Sequence, residues 1–221
     1  MATETAFRKL IAGSDARVTR LHDEKGNRIS WGRLFLNCPR ALLTGLARVL
    51  FGYRVALPWI SYSAISAISQ RLTQSCRVLE FGSGMSTIWY AERAGEVFSV
   101  ESSAEWFALI GQTLSSKSNV HVLLCEDAES YSHYCHDDDA GFDLIVVDGI
   151  ARNECVKEGL RNLRPNGVLY LDNSDRMSPE MRDAEALCVA YARETGAKIT
   201  FFTDFAPTQF FVQQGLMLVR E

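Results

Sequence analysis

The sequence alternates regularly between short apolar runs and segments of helical periodicity. Continuous apolar strands that alternate with helices are typical of a parallel sheet buried on both faces. Right-handed crossovers between such strands predict a doubly wound sheet whose ligand crevice lies at the carboxyl ends of the strands. The predicted strands are Arg77–Phe81, Val97–Glu101, Val120–Cys125, Phe142–Asp148, Gly167–Asp172, Lys198–Thr203 and Gly215–Arg220. The predicted helices between or before them are Tyr62–Leu72, Ser86–Ala94, Ala104–Ser115, Glu154–Leu163 and Pro179–Glu194.

The last two strands are joined by a loop without a helix, so we expect them to form an antiparallel hairpin. The fold class predicted is therefore α/β, a Rossmann-like doubly wound seven-stranded sheet with an antiparallel last strand. The loop between these strands carries Phe205, Pro207, Phe210 and Phe211. These side chains favour either an aromatic wall of an acceptor pocket or a contact in a homodimer.

The N-terminal part of the chain follows a different pattern. Residues 1–30 are polar and mixed in charge, and we expect them to be loosely docked. Apolar positions at helical spacing predict a helix from about Pro39 to Phe51, because Pro39 should divide the longer periodic stretch. Arg40 and Arg48 leave a membrane-surface role open, but a helix that docks by one apolar face is favoured. We predict a helical extension over 1–57, a candidate substrate cap, and one domain over 58–221.

Composition narrows the classes of partner. The net charge is −4, which gives no indication of a nucleic-acid-binding protein. No C-x-x-C pair occurs among the six cysteines, so free thiols in a reducing cytoplasm are expected. The N-terminus lacks the apolar core of a signal peptide, and no apolar stretch approaches the roughly 20 residues of a membrane span. We expect a soluble cytoplasmic protein with neither a nucleic-acid nor a membrane partner.

The strongest local feature is the segment from Val78 to Thr87, in which a strand ends in Glu-Phe, a Gly-Ser-Gly turn follows and a helix begins near Ser86. Glycines there permit positive φ and close approach of a ligand to the backbone. The third glycine of a dinucleotide-binding loop is absent, since Thr87 takes its place. Glu80 would repel a pyrophosphate but could receive an ammonium group, such as that of S-adenosylmethionine. The loop therefore predicts cofactor contacts from Glu80, Gly82, Ser83, Gly84, Ser86 and Thr87.

Two further strand ends carry candidate cofactor contacts. Glu101, with Ser102 beside it, follows Glu80 by 21 residues, close to the spacing expected of a carboxylate that binds ribose hydroxyls. Asp127 could accept a hydrogen bond from an adenine amino group, with the backbone N–H of Ala128 donating to the ring.

These segments occur together with Phe-Asp-Leu-Ile-Val-Val-Asp at 142–148 and Arg-Pro-Asn-Gly-Val-Leu at 164–169. In this order they resemble the motifs of the class I S-adenosylmethionine-dependent methyltransferases, over about residues 58–221. The resemblance implies S-adenosylmethionine as methyl donor, in-line methyl transfer, and a seven-stranded sheet with an antiparallel last strand. It also places Asp148 at the donor and in the catalytic site.

Within that family the chain is most similar to small-molecule O-methyltransferases. In the catechol-type branch, residues matching Asp148, Asp172 and Asn173 bind a divalent cation, so the resemblance makes Mg²⁺ a candidate cofactor. Ala151 stands where that branch has a lysine base, and Arg152 cannot act as a base because guanidinium stays protonated. The alternative is that Asp148 frames the donor pocket while Asp172 and Asn173 cap a turn.

Other functions stay open on the sequence alone. A Rossmann-fold oxidoreductase or epimerase with a nucleotide cofactor is disfavoured by Glu80 and the missing glycine, and an aminopropyltransferase by Arg152. A non-catalytic protein that binds the donor is an alternative that the motifs leave open. His133 and His136 lie near a run of aspartates, where a solvated loop is favoured over a metal site. The identity of the acceptor, the general base and the oligomeric state are not indicated.

Overall fold

The computed structural model describes residues 16–136 and 138–221. Its centre is a seven-stranded sheet in the order β3-β2-β1-β4-β5-β7-β6. The strands are β1 Arg77–Phe81, β2 Glu96–Glu101, β3 Val120–Leu124, β4 Phe142–Val147, β5 Leu163–Leu171, β6 Lys198–Phe205 and β7 Val212–Val219. β7 pairs antiparallel with both β5 and β6, whereas the remaining pairings are parallel. The predicted fold class and the antiparallel last strand are confirmed.

Helices cover both faces of the sheet, as its apolar strands require. They are α1 Trp31–Phe51, α2 Tyr62–Ser69, α3 Met85–Ala91, α4 Ala104–Leu114, α5 Ala128–Ser132, α6 Arg152–Asn162 and α7 Pro179–Thr195. One core packs α6 and α7 on the sheet, with Val156 and Ala184 fully buried. The other packs α2 and α3 on the opposite face, with Ala64 and Tyr90 fully buried. Burial of both faces holds the strand ends, and hence the site, in fixed positions.

β5 and α5 are among the elements that differ from the sequence prediction. The predicted strand Gly167–Asp172 begins earlier, at Leu163, because its first residues pair with β4 across a register shift. The short helix α5 was not predicted; Asp127 caps it by accepting a hydrogen bond from the backbone N–H of Ser130 at 2.8 Å. Five residues are too few to show helical periodicity, so only the capping residue marked it.

The prediction that Pro39 divides the N-terminal helix is wrong. α1 runs unbroken through Pro39 and ends where Gly52 adopts a left-handed conformation. A proline in a helix removes one backbone hydrogen bond, and here the flanking turns hold the helix without it. α1 is also long and apolar enough to cross a membrane, by length and composition only, which the sequence analysis did not anticipate.

The expectation that α1 docks by one apolar face is wrong for most of its large apolar side chains, which are exposed, although Leu34 and Cys38 pack against an apolar cluster. The residues that α1 buries are the small or polar Asn37, Ala41 and Gly45. Asn37 donates a hydrogen bond to Asp204 of β6 at 2.7 Å, and Gly45 lies against the ring of Phe210. The aromatic loop between β6 and β7 is therefore covered by α1. None of the four predicted residues of this loop lines the cavity described below.

The expectation of loose docking fails for residues 16–30, whereas residues 1–15 lie outside the described part of the chain. Asp23 and Ile29 are buried. The Asp23 carboxylate accepts hydrogen bonds from Gln214 at 3.2 Å and from Thr203 at 3.3 Å, and Ile29 packs in one cluster with Ala41. This segment is thus fixed to the antiparallel end of the sheet.

Candidate functional site

A cavity of about 250 Å³ opens at the carboxyl ends of β1, β2 and β4. This is where the strand order turns from one half of the sheet to the other, the usual ligand position in doubly wound folds. Most of the predicted cofactor contacts meet there, joined by three aromatic side chains. The lining residues are Trp59, Gly82, Ser83, Gly84, Met85, Ser86, Glu101, Ser102, Trp106, Tyr131, Asp148 and Gly149.

The floor of the cavity is the turn after β1. Gly82 has a φ of 109°, a conformation that residues with a side chain rarely adopt. A Cβ atom at Gly82 would also lie only 3.0 Å from the carbonyl oxygen of Asp148. The backbone N–H of Asp148 donates to the carbonyl of Phe81 at 2.9 Å. Glycine at this position therefore allows the β1 and β4 loops to touch beneath the cavity.

Glu80 does not line the cavity; it is buried below it, with 1% of its surface exposed. Its carboxylate accepts hydrogen bonds from the hydroxyls of Ser86, of Thr87 at 2.6 Å and of Ser99 at 2.9 Å. Burial raises the pKa of Glu80 to about 7, although these hydroxyls oppose the rise. Because the hydroxyls occupy the carboxylate, Glu80 ties the glycine turn and α3 to β2.

Glu101, predicted to bind ribose hydroxyls, has its carboxylate held by the backbone at the cavity. It lies at the end of β2 and lines the cavity. One of its oxygens accepts hydrogen bonds from the backbone N–H groups of Ser102 at 2.9 Å and Ser103 at 2.8 Å. Burial raises its pKa, while these N–H groups lower it in part. The carboxylate is therefore fixed in orientation and available to a ligand in the cavity.

Asp127 and Ala128 are exposed and do not belong to the cavity lining. The side chain of Asp127 is used in capping α5, and the N–H of Ser130 lowers its pKa. Tyr131, one turn into α5, reaches the cavity instead. Its buried hydroxyl has no hydrogen-bond partner among the described residues. A buried hydroxyl without a partner is costly, and that of Tyr131 packs against Gly149, where a side chain would clash with it.

Trp59 and Trp106 form one side of the cavity, with ring centroids 6.5 Å apart. The indole N–H of Trp106 donates to the carbonyl of Ser83 at 2.6 Å, which fixes the ring beside the glycine turn. The buried indole nitrogen of Trp59 has no partner within the described residues. No sequence pattern indicated Trp106, apart from its place in the helix that follows Glu101.

Arg152 organises the residues predicted to hold a metal. Its guanidinium donates to the carboxylate of Asp148 at 2.9 Å, to the backbone carbonyl of Asp172 at 2.6 Å and to the side-chain oxygen of Asn173 at 3.5 Å. Arg152 is itself buried. It begins α6, directly after Ala151 in a left-handed conformation. The turn after β4 thus directs this cation back to the strand ends.

Asp172 does not offer the free carboxylate that a divalent cation needs. It is buried, and its oxygen receives the hydroxyl of Tyr170 and the amide of Gln213, both at 3.3 Å. Burial and the nearby charge of Asp148 raise its pKa well above the ordinary value. Mg²⁺ prefers several ionised or carbonyl oxygens that converge on one point. The set Asp148, Asp172 and Asn173 does not fit such an ion, because Arg152 already lies among these residues.

The two histidines of the aspartate-rich segment are exposed, and both lie close to one carboxylate. His136 Nδ1 lies 2.8 Å and His133 Nε2 3.9 Å from the carboxylate of Glu158, a buried residue of α6. Arg161 contacts the same carboxylate at 2.6 Å. The cluster connects the end of α5 to α6. α5 also carries Tyr131, which lines the cavity.

No protein-family model and no curated protein matches the sequence. Among solved structures, an O-methyltransferase from Bacillus cereus in complex with SAH aligns with all of this chain and 98% of its own, at a TM-score of 0.60 and 16% identity. The O-methyltransferase TomG from Streptomyces achromogenes, involved in tomaymycin synthesis and in complex with SAM, aligns with all of this chain and 96% of its own, at a TM-score of 0.58 and 18% identity.

An rRNA methylase from Streptococcus thermophilus aligns with 72% of this chain and 95% of its own, at a TM-score of 0.57 and 16% identity. The three proteins share a fold with this chain at low sequence identity, and two of them align over its whole length. The strand order and the antiparallel β7 agree with that similarity. The chain therefore has the fold of the class I S-adenosylmethionine-dependent methyltransferases.

Proposed function

We propose that the protein is an S-adenosylmethionine-dependent methyltransferase that methylates an oxygen of a small molecule. The observation that carries this proposal is the fixed carboxylate of Glu101 in the cavity beside the turn of Gly82. That pairing suits a ligand with a ribose diol and no phosphate, as in S-adenosylmethionine. The solved structures with SAM or SAH bound support the same donor.

Several residues that line the cavity have a role in donor binding in this proposal. Glu101 accepts the ribose hydroxyls, while Ser83, Gly84 and Ser102 border the ligand along the turns. The ring of Trp106 offers apolar contact to adenine. This contact replaces those first predicted for Asp127 and Ala128.

Asp148 lies where the donor's cationic end would be placed, since its carboxylate lines the cavity on the β4 side. Its ion pair with Arg152 fixes its orientation. Methyl transfer from a sulfonium is an in-line displacement, in which positioning is worth roughly 7–11 kcal/mol. The chain's contribution is therefore to hold donor and acceptor in line and to keep water out.

A small-molecule acceptor is supported by the two O-methyltransferases that align over the whole chain. The rRNA methylase covers less of it, and a net charge of −4 gives little attraction to a phosphate backbone. All six cysteines are free, which fits a cytoplasmic location.

Thermal unfolding with S-adenosylmethionine, S-adenosylhomocysteine, NAD and NADP tests the donor. A ligand at about 100 times its dissociation constant should raise the unfolding temperature by about 5–11 °C. We expect this rise with the two adenosyl compounds alone. A rise with the dinucleotides alone would indicate an oxidoreductase. Donor binding without turnover on a panel of phenolic, carboxylate and alcohol acceptors would indicate a non-catalytic binding protein.

The variant Glu101→Gln tests the residue that carries the proposal. Loss of charged hydrogen bonds to the ribose should weaken S-adenosylhomocysteine binding about 10- to 100-fold. Glu105→Gln is the matched control, because Glu105 is exposed on α4 and does not line the cavity. Calorimetric titration measures both, and equal affinities in the two variants would contradict the assignment of Glu101.

A further inference from the structure

α1 exposes an extensive apolar surface to solvent. Nine of the large apolar side chains that are exposed in the described part of the chain belong to this helix. They are Trp31, Phe35, Leu36, Leu42, Leu43, Leu46, Val49, Leu50 and Phe51. Soluble monomers rarely expose apolar patches of this extent unless the patch binds something.

The protein contacts one face of α1, whose buried residues are Asn37, Ala41 and Gly45, with Leu34 and Cys38 partly buried beside them. Since residues of a helix are separated by about 100° around its axis, Leu43 and Leu50 point away from that face. They are 70% and 66% exposed. A helix with one face packed on a domain cannot be surrounded by lipid, so α1 is placed to lie on a membrane rather than to cross it.

The charges around α1 favour an anionic surface. The segment 28–54 contains five arginines and no acidic residue, in a chain whose net charge is −4. None of the five forms an ion pair with any part of the chain that the structure describes. Two copies packed through α1 would bring these cations together without acidic partners from either helix, whereas lipid phosphates would neutralise them.

A groove of about 550 Å³ lies beside the exposed face of α1. Leu43, Leu57 and Trp89 are among the residues that give it an apolar lining, and Arg40 and Arg93 also border it. Apolar space next to guanidinium groups fits an acyl chain whose headgroup carries a negative charge. The groove and the arginines therefore both favour an anionic lipid as ligand.

We propose that α1 binds in the plane of an anionic lipid membrane, with its apolar face among the acyl chains and its arginines at the phosphates. This goes beyond the proposed function and does not depend on methyl transfer. It replaces the sequence-based expectation of no membrane partner, which rested on the lack of a spanning stretch or signal peptide and on docking of α1 by one apolar face.

The end of α1 also connects the membrane-binding face to the candidate donor cavity. The guanidinium of Arg48 lies 4.6 Å from the ring centroid of Trp59, and that of Arg54 lies 5.4 Å from Trp106. Both tryptophans line the cavity. A membrane bound by α1 would therefore lie beside the cavity, where an acceptor at the membrane surface could enter.

Sedimentation of the full chain with vesicles tests the proposal. We expect binding to vesicles of phosphatidylcholine with phosphatidylglycerol, weaker binding to pure phosphatidylcholine, and a blue shift of tryptophan emission from Trp31. The double variant Leu43→Glu/Leu50→Glu should lower the partition coefficient at least about tenfold. Leu109→Glu/Leu187→Glu, at exposed positions of α4 and α7, adds the same charge elsewhere and should bind like the unmodified chain.

Replacement of the exposed Arg40 or Arg54 by Gln should weaken binding to anionic vesicles about fivefold each at low salt. Equal binding to neutral and anionic vesicles, or no binding at all, would overturn the proposal. A dimer in solution that Leu43→Glu/Leu50→Glu dissociates, together with no vesicle binding, would show that a second copy covers α1. Titration with S-adenosylhomocysteine in the same variants keeps this result separate from the test of donor binding.

Discussion

At the scale of single residues, Glu80 fixes the loop that borders the cavity, but burial of its carboxylate costs free energy of folding. A fully buried carboxyl group loses its hydration, so burial favours the neutral form and raises the pKa to about 7. Hydrogen bonds from Thr87 and Ser99 recover part of the loss and fix the loop that borders the cavity. The residue is therefore expected to stabilise the loop's geometry while lowering stability at neutral pH.

This gives a pH dependence with a definite sign. In the unfolded chain Glu80 ionises near its ordinary pKa of 4.5, whereas in the folded chain it ionises near 7. Between these values the folded state binds the extra proton, so stability falls as pH rises through this window and is constant above it. Glu80→Gln should remove this contribution. Denaturant unfolding across the window measures the difference, and parallel curves for the two proteins would contradict the raised pKa.

Residue types and spacing could predict part of the site but not the partners of each group. The Gly-Ser-Gly turn and Glu101 were recognisable because strand, turn and helix are adjacent in sequence. The contacts of Arg152 with Asp172 and Asn173 join residues 20 and 21 positions apart, and no local pattern reveals them. Asp127 does not take the position expected of an adenine contact, because its side chain accepts a hydrogen bond from the backbone of α5.

At the scale of elements, periodic segments were predictable and exceptions had local causes. Strands β1, β4 and β6 begin at the predicted residues. α1 departs from the prediction because the residues it buries are small, which no hydrophobicity pattern marks. The connection of α5 to α6 depends on Glu158, a charged residue in a helix that otherwise shows an ordinary amphipathic pattern.

Glu158 should therefore contribute more to stability than its type suggests. Burial alone would raise its pKa, but the hydrogen bond from His136 and the charge of Arg161 lower it overall. Glu158→Gln should cost about 1–3 kcal/mol in the free energy of unfolding, because charged partners lose their acceptor. Glu154→Gln, a less buried position of α6 that is paired with Lys157, should cost less than about 0.5 kcal/mol. Equal effects in urea unfolding would show that the cluster has no special role.

At the scale of the whole molecule, the cavity and the fixed cation beside it are both consequences of the strand order. β4 and β5 are adjacent, so their ends bring Asp148 and Asp172 together although the chain between them forms α6. α6 returns Arg152 to the same place, where it compensates the charge of Asp148. The positions of the strand ends could be predicted from the sequence. Whether a metal ion or a side chain compensates the charge of Asp148 could not, because it depends on the turn at Ala151 that directs Arg152.

Because Arg152 is covalently part of the molecule, donor binding should not require a divalent metal. We expect the affinity for S-adenosylhomocysteine in excess EDTA and in excess Mg²⁺ to agree within about twofold. Arg152→Met removes the cation and leaves Asp148 without its ion pair, so this variant should bind the donor more weakly in EDTA. If Mg²⁺ restores its affinity while leaving the unmodified chain unchanged, the guanidinium occupies the position of a metal. A large Mg²⁺ effect on the unmodified chain would instead show that Asp148 and Asn173 bind an ion despite Arg152.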